Sequence, residues 1–264
     1  MKLSGARHAF VTGGASGIGL GIAGALADRG LHVTIADIDR ESLDAVVAQR
    51  RDRFQGAALD VRDRGGWAHT KESAETAFGP VDVLINNAGI WADGCDLADL
   101  DPDVFDRLMA VDVTGVFNGV STFARSMRER RAGHIVNTAS IMGLTSGIPG
   151  TAVYTAAKAA VVTLSEVLRQ ELTPHGVGVS VLCPGFVASN LIATSRRAGS
   201  QVVDAEKSSS AGLPAMEPSR AGEIVADGIE ENLPYIFTHP EYWPSVESRS
   251  KELEKAFRIA TAGR

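Results

Sequence analysis

The chain has 264 residues, 44% hydrophobic and 22% charged, with a formal net charge of −6. That length buries a full core, and the composition is that of a folded globular protein rather than a disordered one. Lys and Arg are scattered along an acidic chain, which argues against nucleic acid as the main partner, and no stretch approaches the roughly 20 uninterrupted apolar residues of a membrane span.

From the first residue, MKLSGARHAFVTGGASG offers a short basic opening, but glycines interrupt the apolar stretch before it reaches signal-peptide length. Only Cys95 and Cys183 occur, so no disulfide framework is implied and a cytoplasmic location is expected. Short β-rich apolar runs then alternate with longer amphipathic stretches: HAFVTG with GIGLGIAGALADRG, HVTIAD with ESLDAVVAQRRD, GAALDV with WAHTKESAETAFG.

The rhythm continues through VDVLINNAG, a long helical stretch around 104 to 131, HIVNTAS, a second around 152 to 175, and VGVSVLCPG. Nearly continuous apolar strands alternating with helices predict an α/β fold, a doubly wound parallel sheet of about seven strands with helices on both faces. Past Pro184 the pattern weakens, and 187 to 217 reads as a substrate loop or lid. A last helix in PSRAGEIVADGIEENL precedes PYIFTHP and a charged tail with Trp243. Without repeat or linker, residues 1 to 264 are expected to form a single domain.

Thr12 to Gly19, TGGASGIG, follows the first strand and opens the first helix. Glycines there let backbone amides approach a pyrophosphate, and the helix dipole adds about half a positive charge. The spacing of Gly13, Gly17 and Gly19 departs from GxGxxG, so the turn alone is weak evidence. Asp37 strengthens it, ending the second strand where a carboxylate binds adenosine ribose hydroxyls and repels a 2′-phosphate. Arg40 lies nearby, but no basic residue sits within the glycine turn, so NAD is expected over NADP.

YTAAK then gains meaning. Tyr154 and Lys158 stand at i and i+4 on one helix face, just after a strand expected to end in Ser140. A tyrosine acts as a base near neutral pH only if its pKa falls by roughly three units, about 4 kcal/mol. A lysine about 5 Å away at an effective dielectric near 20 supplies on the order of 3 kcal/mol, and the positive ring of an oxidised nicotinamide would supply most of the rest.

These ordered motifs, TGGASGIG, Asp37, Leu59-Asp60-Val61, Asn86-Asn87-Ala88-Gly89, Ser140, Tyr154-xxx-Lys158 and Pro184-Gly185, resemble the small, single-domain type of short-chain dehydrogenase/reductase over about residues 6 to 190. The resemblance implies a Rossmann-type fold with Tyr154 as general acid/base, Lys158 lowering its pKa and binding the nicotinamide ribose, and Ser140 holding the substrate oxygen. It also implies that Gly13, Ser16, Gly17, Ile18, Gly19 and Asp37 bind the cofactor. Asp60 and Val61 would frame the adenine, and Asn87, Ala88 and Gly89 would line its channel. Pro184, Gly185, Val187 and Ser189 would complete the cofactor site, Ser189 standing where the family usually has a threonine.

Two departures matter. Ser140 precedes Tyr154 by 14 positions, one more than usual in the family, so the intervening loop is expected to bulge, and Thr138 is a weaker candidate for the oxygen-binding role. Asp112, in AVDVTGVFN, stands where the family has an asparagine near the lysine. An ionised carboxylate there would offset part of the field that acidifies Tyr154 and shift the pH optimum upward.

The six histidines are dispersed and no metal is expected. GASGIG fails the GxSxG elbow of a serine hydrolase. Trp91, Met142, Phe186 and Leu191 follow strand ends and are candidates for an apolar substrate pocket. The leading expectation is NAD-dependent hydride transfer between nicotinamide and an apolar secondary alcohol or ketone. The alternatives are a cofactor-binding sensor or scaffold without turnover, and a nucleotide-sugar epimerase or dehydratase. The resemblance further implies a homo-oligomer, dimer or tetramer, joined through the two long helices.

Overall fold

The structure is a computed structural model that describes residues 1–92, 94–200, 202 and 214–262. Seven strands form one parallel sheet in the order β3-β2-β1-β4-β5-β6-β7: β1 (His8–Thr12), β2 (His32–Asp37), β3 (Phe54–Ala58), β4 (Val83–Asn86), β5 (His134–Thr138), β6 (Gly178–Cys183) and β7 (Tyr235–Phe237). β1, β4 and β5 are buried along their whole length, because helices cover both faces of the sheet.

On one face lie α1 (Gly17–Asp28) and α8 (Pro218–Glu230), whose Ile22, Leu26, Val225 and Ile229 pack against Val11, Val33, Ile35 and Ile85. Their backbones touch: a Cβ on Gly21 would stand 1.9 Å from the Pro218 carbonyl oxygen, and one on Gly222 2.1 Å from that of Gly21. On the other face α3 (Arg64–Phe78) and α5 (Gly115–Arg130) bring Trp67, Phe123 and Met127 against Phe10, Leu84 and Ile135.

Local sequence sets several of these boundaries. Asp39 caps α2 (Arg40–Gln49) by accepting from the Ser42 amide, and Asp63 caps α3 through Gly65. Asp101 and Pro102 start α4 (Pro102–Met109). Strand order reverses beside β1, where β2 and β4 flank it, and this opens a crevice at the carboxyl ends of the strands.

The structure departs from the sequence reading in three places. The stretch around 104 to 131 is two helices, α4 and α5, joined by a π-helical turn over Ala110–Thr114 that carries Asp112. The second long helix, α6, is Ala152–Leu172, closed by a 3-10 turn Thr173–His175. The charged tail is itself a helix, α9 (Trp243–Ala262), most of it exposed. Within the expected 187 to 217 lid, α7 (Leu191–Arg197) is helical and Val187 bridges Met216. Residues 201 and 203–213 of that stretch lie outside the described residues.

Candidate active site

The carboxyl ends of the strands open into one cleft of about 1310 Å³. At one end the β1–α1 turn delivers Gly13, Ser16, Gly17 and Ile18 to its wall. Gly13 and Gly17 both have positive φ, 60° and 51°, which a side chain would strain. A Cβ on Gly13 would also sit 2.9 Å from Ala88 Cα, and one on Gly17 would meet Ser189 Cβ at 2.9 Å. The turn therefore stays bare, and the open end of α1 faces the cleft, the arrangement that binds a phosphate.

Gly19 does not line the cleft. Its Cβ would stand 2.1 Å from the Gly13 carbonyl oxygen and 2.6 Å from Asn87 Nδ2, so it lets the helix close on the turn. Asn87 reinforces that closure by donating to the carbonyls of Thr12 and Gly13.

Asp37, at the end of β2, lines the cleft and accepts from the Ala15 amide at 3.0 Å and the Asp39 amide at 3.1 Å. Asp60 and Val61, just beyond β3, line the same end. Arg40 does not line it. Two arginines that the sequence reading did not single out do: Arg62, clasped by Asp60 at 2.6 Å, and Arg197, which crosses from α7 to Asp39 at 3.0 Å. Arg197 and Asp39 lie 158 residues apart, a pairing with no sequence signal.

At the other end stand Ser140, Tyr154, Lys158 and Asp112, all buried and all lining the cleft. Lys158 Nζ is 2.9 Å from Asp112 Oδ2, donates to the Thr138 carbonyl at 3.2 Å and sits 5.5 Å from the Tyr154 ring centroid. Asp112 Oδ1 accepts from the Ile90 amide. The space between is narrow, since a Cβ on Gly89 would be 3.1 Å from Asp112 Oδ2 and 3.3 Å from Lys158 Nζ. The π-helical turn places Asp112 there, an irregularity often found at functional positions.

Burial pushes the Tyr154 phenol above its ordinary pKa; Lys158 pulls it down, Asp112 pushes it up again, and a hydrogen bond with Ser140 lowers it. Burial works to lower Lys158, yet Asp112 and Tyr154 hold it above its ordinary value. Burial raises Asp112 while Lys158 opposes that shift. Ser140 Oγ accepts from the Met142 amide at 3.2 Å. The longer Ser140–Tyr154 connection is accommodated by a 3-10 turn at Ile141–Gly143 and by left-handed Gly147 and Gly150. The Thr138 side chain is buried, its hydroxyl without a hydrogen-bond partner among the described residues.

Pro184, Gly185, Val187 and Ser189 continue the wall, and Trp91, Met142, Phe186 and Leu191 line it as well. The Trp91 ring lies 4.3 Å from that of Tyr154.

Sheet order and cleft define a Rossmann-type protein. The family model described as "short chain dehydrogenase" matches residues 7–199, and the chain belongs to the short-chain dehydrogenase/reductase family of oxidoreductases, which bind a nicotinamide cofactor. It is 34% identical to C alpha-dehydrogenase of Sphingobium sp. over 254 residues, 90% of this chain and 82% of that protein. A short-chain dehydrogenase/reductase from Burkholderia phymatum, solved in complex with NAD, superposes with a TM-score of 0.87 at 31% identity over 97% of each chain. LigO from Sphingobium sp. strain SYK-6, in its apo form, superposes at 0.84 with 33% identity, covering 99% of this chain and 92% of its own. No helix among the described residues is long and apolar enough to cross a membrane.

Proposed function

We propose that the protein is an NAD-dependent dehydrogenase acting on an apolar secondary alcohol, or on its ketone in reverse. The observation that carries this reading is one continuous cleft with a bare glycine turn and Asp37 at one end, and Ser140, Tyr154 and Lys158 at the other. The residues fit a dinucleotide: Gly13 and Gly17 leave room for a pyrophosphate, and Asp37 is suited to ribose hydroxyls. NAD is favoured over NADP because Asp37 would repel a 2′-phosphate, and the arginines at that end, Arg62 and Arg197, are already paired with Asp60 and Asp39. The NAD complex of the Burkholderia phymatum relative agrees with this choice.

When bound, the nicotinamide supplies the hydride acceptor or donor. In the oxidation, Ser140 and Tyr154 hold the substrate hydroxyl, and the Tyr154 oxygen takes its proton as general base. Lys158 holds positive charge beside the phenol and orients it, while the apolar wall excludes water. Asp112 fastens Lys158 but returns negative charge to the site, so Tyr154 works at a higher pH than it would beside a neutral partner.

The test follows NADH and NADPH absorbance across secondary alcohols and ketones, with Tyr154→Phe as control. Turnover with NAD that the control lacks is expected, and a clear preference for NADP would overturn the cofactor assignment. A second reading, a cofactor-binding sensor, is favoured by one observation, the Asp112 carboxylate 2.9 Å from Lys158, which offsets the charge that would acidify Tyr154. Cofactor binding without turnover at any pH would select it.

The protein is further proposed to self-associate through α5 and α6, which leave Phe117, Leu164 and Val167 between 42% and 50% exposed.

A further inference from the structure

The charges that line the cleft nearly all answer one another. Arg62 meets Asp60 at 2.6 Å, Arg197 meets Asp39 at 3.0 Å, and Lys158 meets Asp112 at 2.9 Å. Two cleft-lining charges have no opposite charge among the described residues: Asp37 and Arg107. Asp37 stands at the glycine turn, where ribose hydroxyls are its proposed partners. Arg107 has no such role.

Arg107 lies on α4 between Val104 and Leu108, which pack in one apolar cluster with Trp91 and Tyr154. One guanidinium N–H donates to the Gly199 carbonyl. A guanidinium carries five N–H donors and no acceptor, so most of the fork has no partner among the described residues.

A second donor-only group stands in the same wall. Trp91 lines the cleft, and its indole Nε1 is buried with no hydrogen-bond partner among the described residues. A buried donor left unpaired is unfavourable, and a ligand acceptor would relieve it. The same short segment ties both groups down: the Trp91 amide donates to Ser195 Oγ at 2.7 Å, and Arg107 donates to Gly199 O, four residues on. Gly199 follows α7 with a left-handed φ of 78°, in a closing turn where the Ser200 amide donates back to the Ser195 carbonyl at 2.9 Å, so the two anchor points are neighbours.

We infer that the substrate is an alcohol or ketone whose apolar body ends in an anionic oxygen group, of which a carboxylate is the simplest case, bound by Arg107 with the Trp91 indole N–H as second donor. Arg107 is then the specificity-determining residue. The inference rests on the dehydrogenase reading of this cleft and deepens it. An arginine fork matches a carboxylate in two parallel hydrogen bonds, and an apolar surround keeps water from competing.

The test pairs aryl keto acids of increasing spacer length, benzoylformate, 3-benzoylpropionate and 4-benzoylbutyrate, with their methyl esters. Binding to the NAD⁺-loaded enzyme is measured by calorimetry, where a ketone cannot turn over, and reduction is followed with NADH. For at least one spacer the acid is expected to bind at least tenfold more tightly than its ester. Arg107→Gln should bring that ratio close to one, chiefly through KM, and Arg107→Lys should keep much of it.

Equal binding of acid and ester by the wild-type protein at every spacer overturns the inference without recourse to any variant. A preference that survives Arg107→Gln overturns the assignment to Arg107. Turnover of neutral ketones with no acid preference removes this inference and leaves the dehydrogenase reading intact. An acid preference in binding, without turnover of any alcohol or ketone, removes the dehydrogenase reading and with it the substrate, and leaves only an anion site on Arg107.

Discussion

At the scale of single residues, the chemistry depends on how three charges share a buried space. Replacing Tyr154 with Phe removes the proposed proton acceptor and little else, so kcat should fall by about 10²–10⁴ while NAD affinity, read by fluorescence titration, is kept. Asp112 is the more informative position. Its carboxylate raises the Tyr154 pKa, so Asp112→Asn should lower it and move the rising limb of the oxidation pH profile to lower pH. A profile that stays in place, or moves to higher pH, would show that Asp112 does not set the tyrosine's field.

At the scale of elements, α1 and α8 approach so closely that Gly21 and Gly222 let two backbones touch. Gly21→Ala puts a methyl group 1.9 Å from the Pro218 carbonyl, which cannot yield without moving α8. A loss of roughly 2–3 kcal/mol is expected, measured as a lower urea midpoint. Gly24→Ala lies in the same helix with nothing within 4 Å of its Cβ, and it should be neutral or slightly stabilising. Similar effects from both substitutions would refute the contact as the cause.

At the scale of the whole molecule, the sheet keeps two histidines uncharged in its core. His8 bridges the Gly79 carbonyl and Thr34 Oγ1, and burial lowers its pKa; His134 reaches Ser180 Oγ, and burial lowers it to about 3. In the unfolded chain both titrate near 6.5, so as pH falls below that value the unfolded state takes up protons that the folded state refuses. Stability is full above about pH 6.5 and declines toward the folded pKa, by about 1.4 kcal/mol per pH unit for His134. Urea midpoints between pH 8 and pH 5 should trace this decline, and His134→Asn should flatten it. Self-association belongs to the same scale: Leu164→Glu together with Val167→Glu should reduce the mass seen by light scattering, and an unchanged mass would place any interface elsewhere.

The parts of the fold that were legible rest on short-range patterns. Alternation of apolar runs with amphipathic stretches is a property of neighbouring residues, and so are the glycine turn, the Asp37 strand end and the i, i+4 spacing of Tyr154 and Lys158. The α9 helix was not legible, because its charged, weakly apolar pattern does not distinguish a helix from a loop. The break at Ala110–Thr114 was missed for a different reason: the backbone stays in the right-handed helical region across it, and only the hydrogen-bond register changes, which residue types do not mark.

The sequence by itself determined the doubly wound sheet, the bare glycine turn at one end of the cleft and the tyrosine–lysine pair at the other, since each is written within one strand, turn or helix. Only the tertiary structure decided how the charges are matched: Asp112 taken up by Lys158, Asp39 by Arg197, and Arg107 left without an opposite charge among the described residues. Such pairings join residues far apart in the chain. They depend on which side chains the folded sheet brings to one crevice, and no local pattern records that.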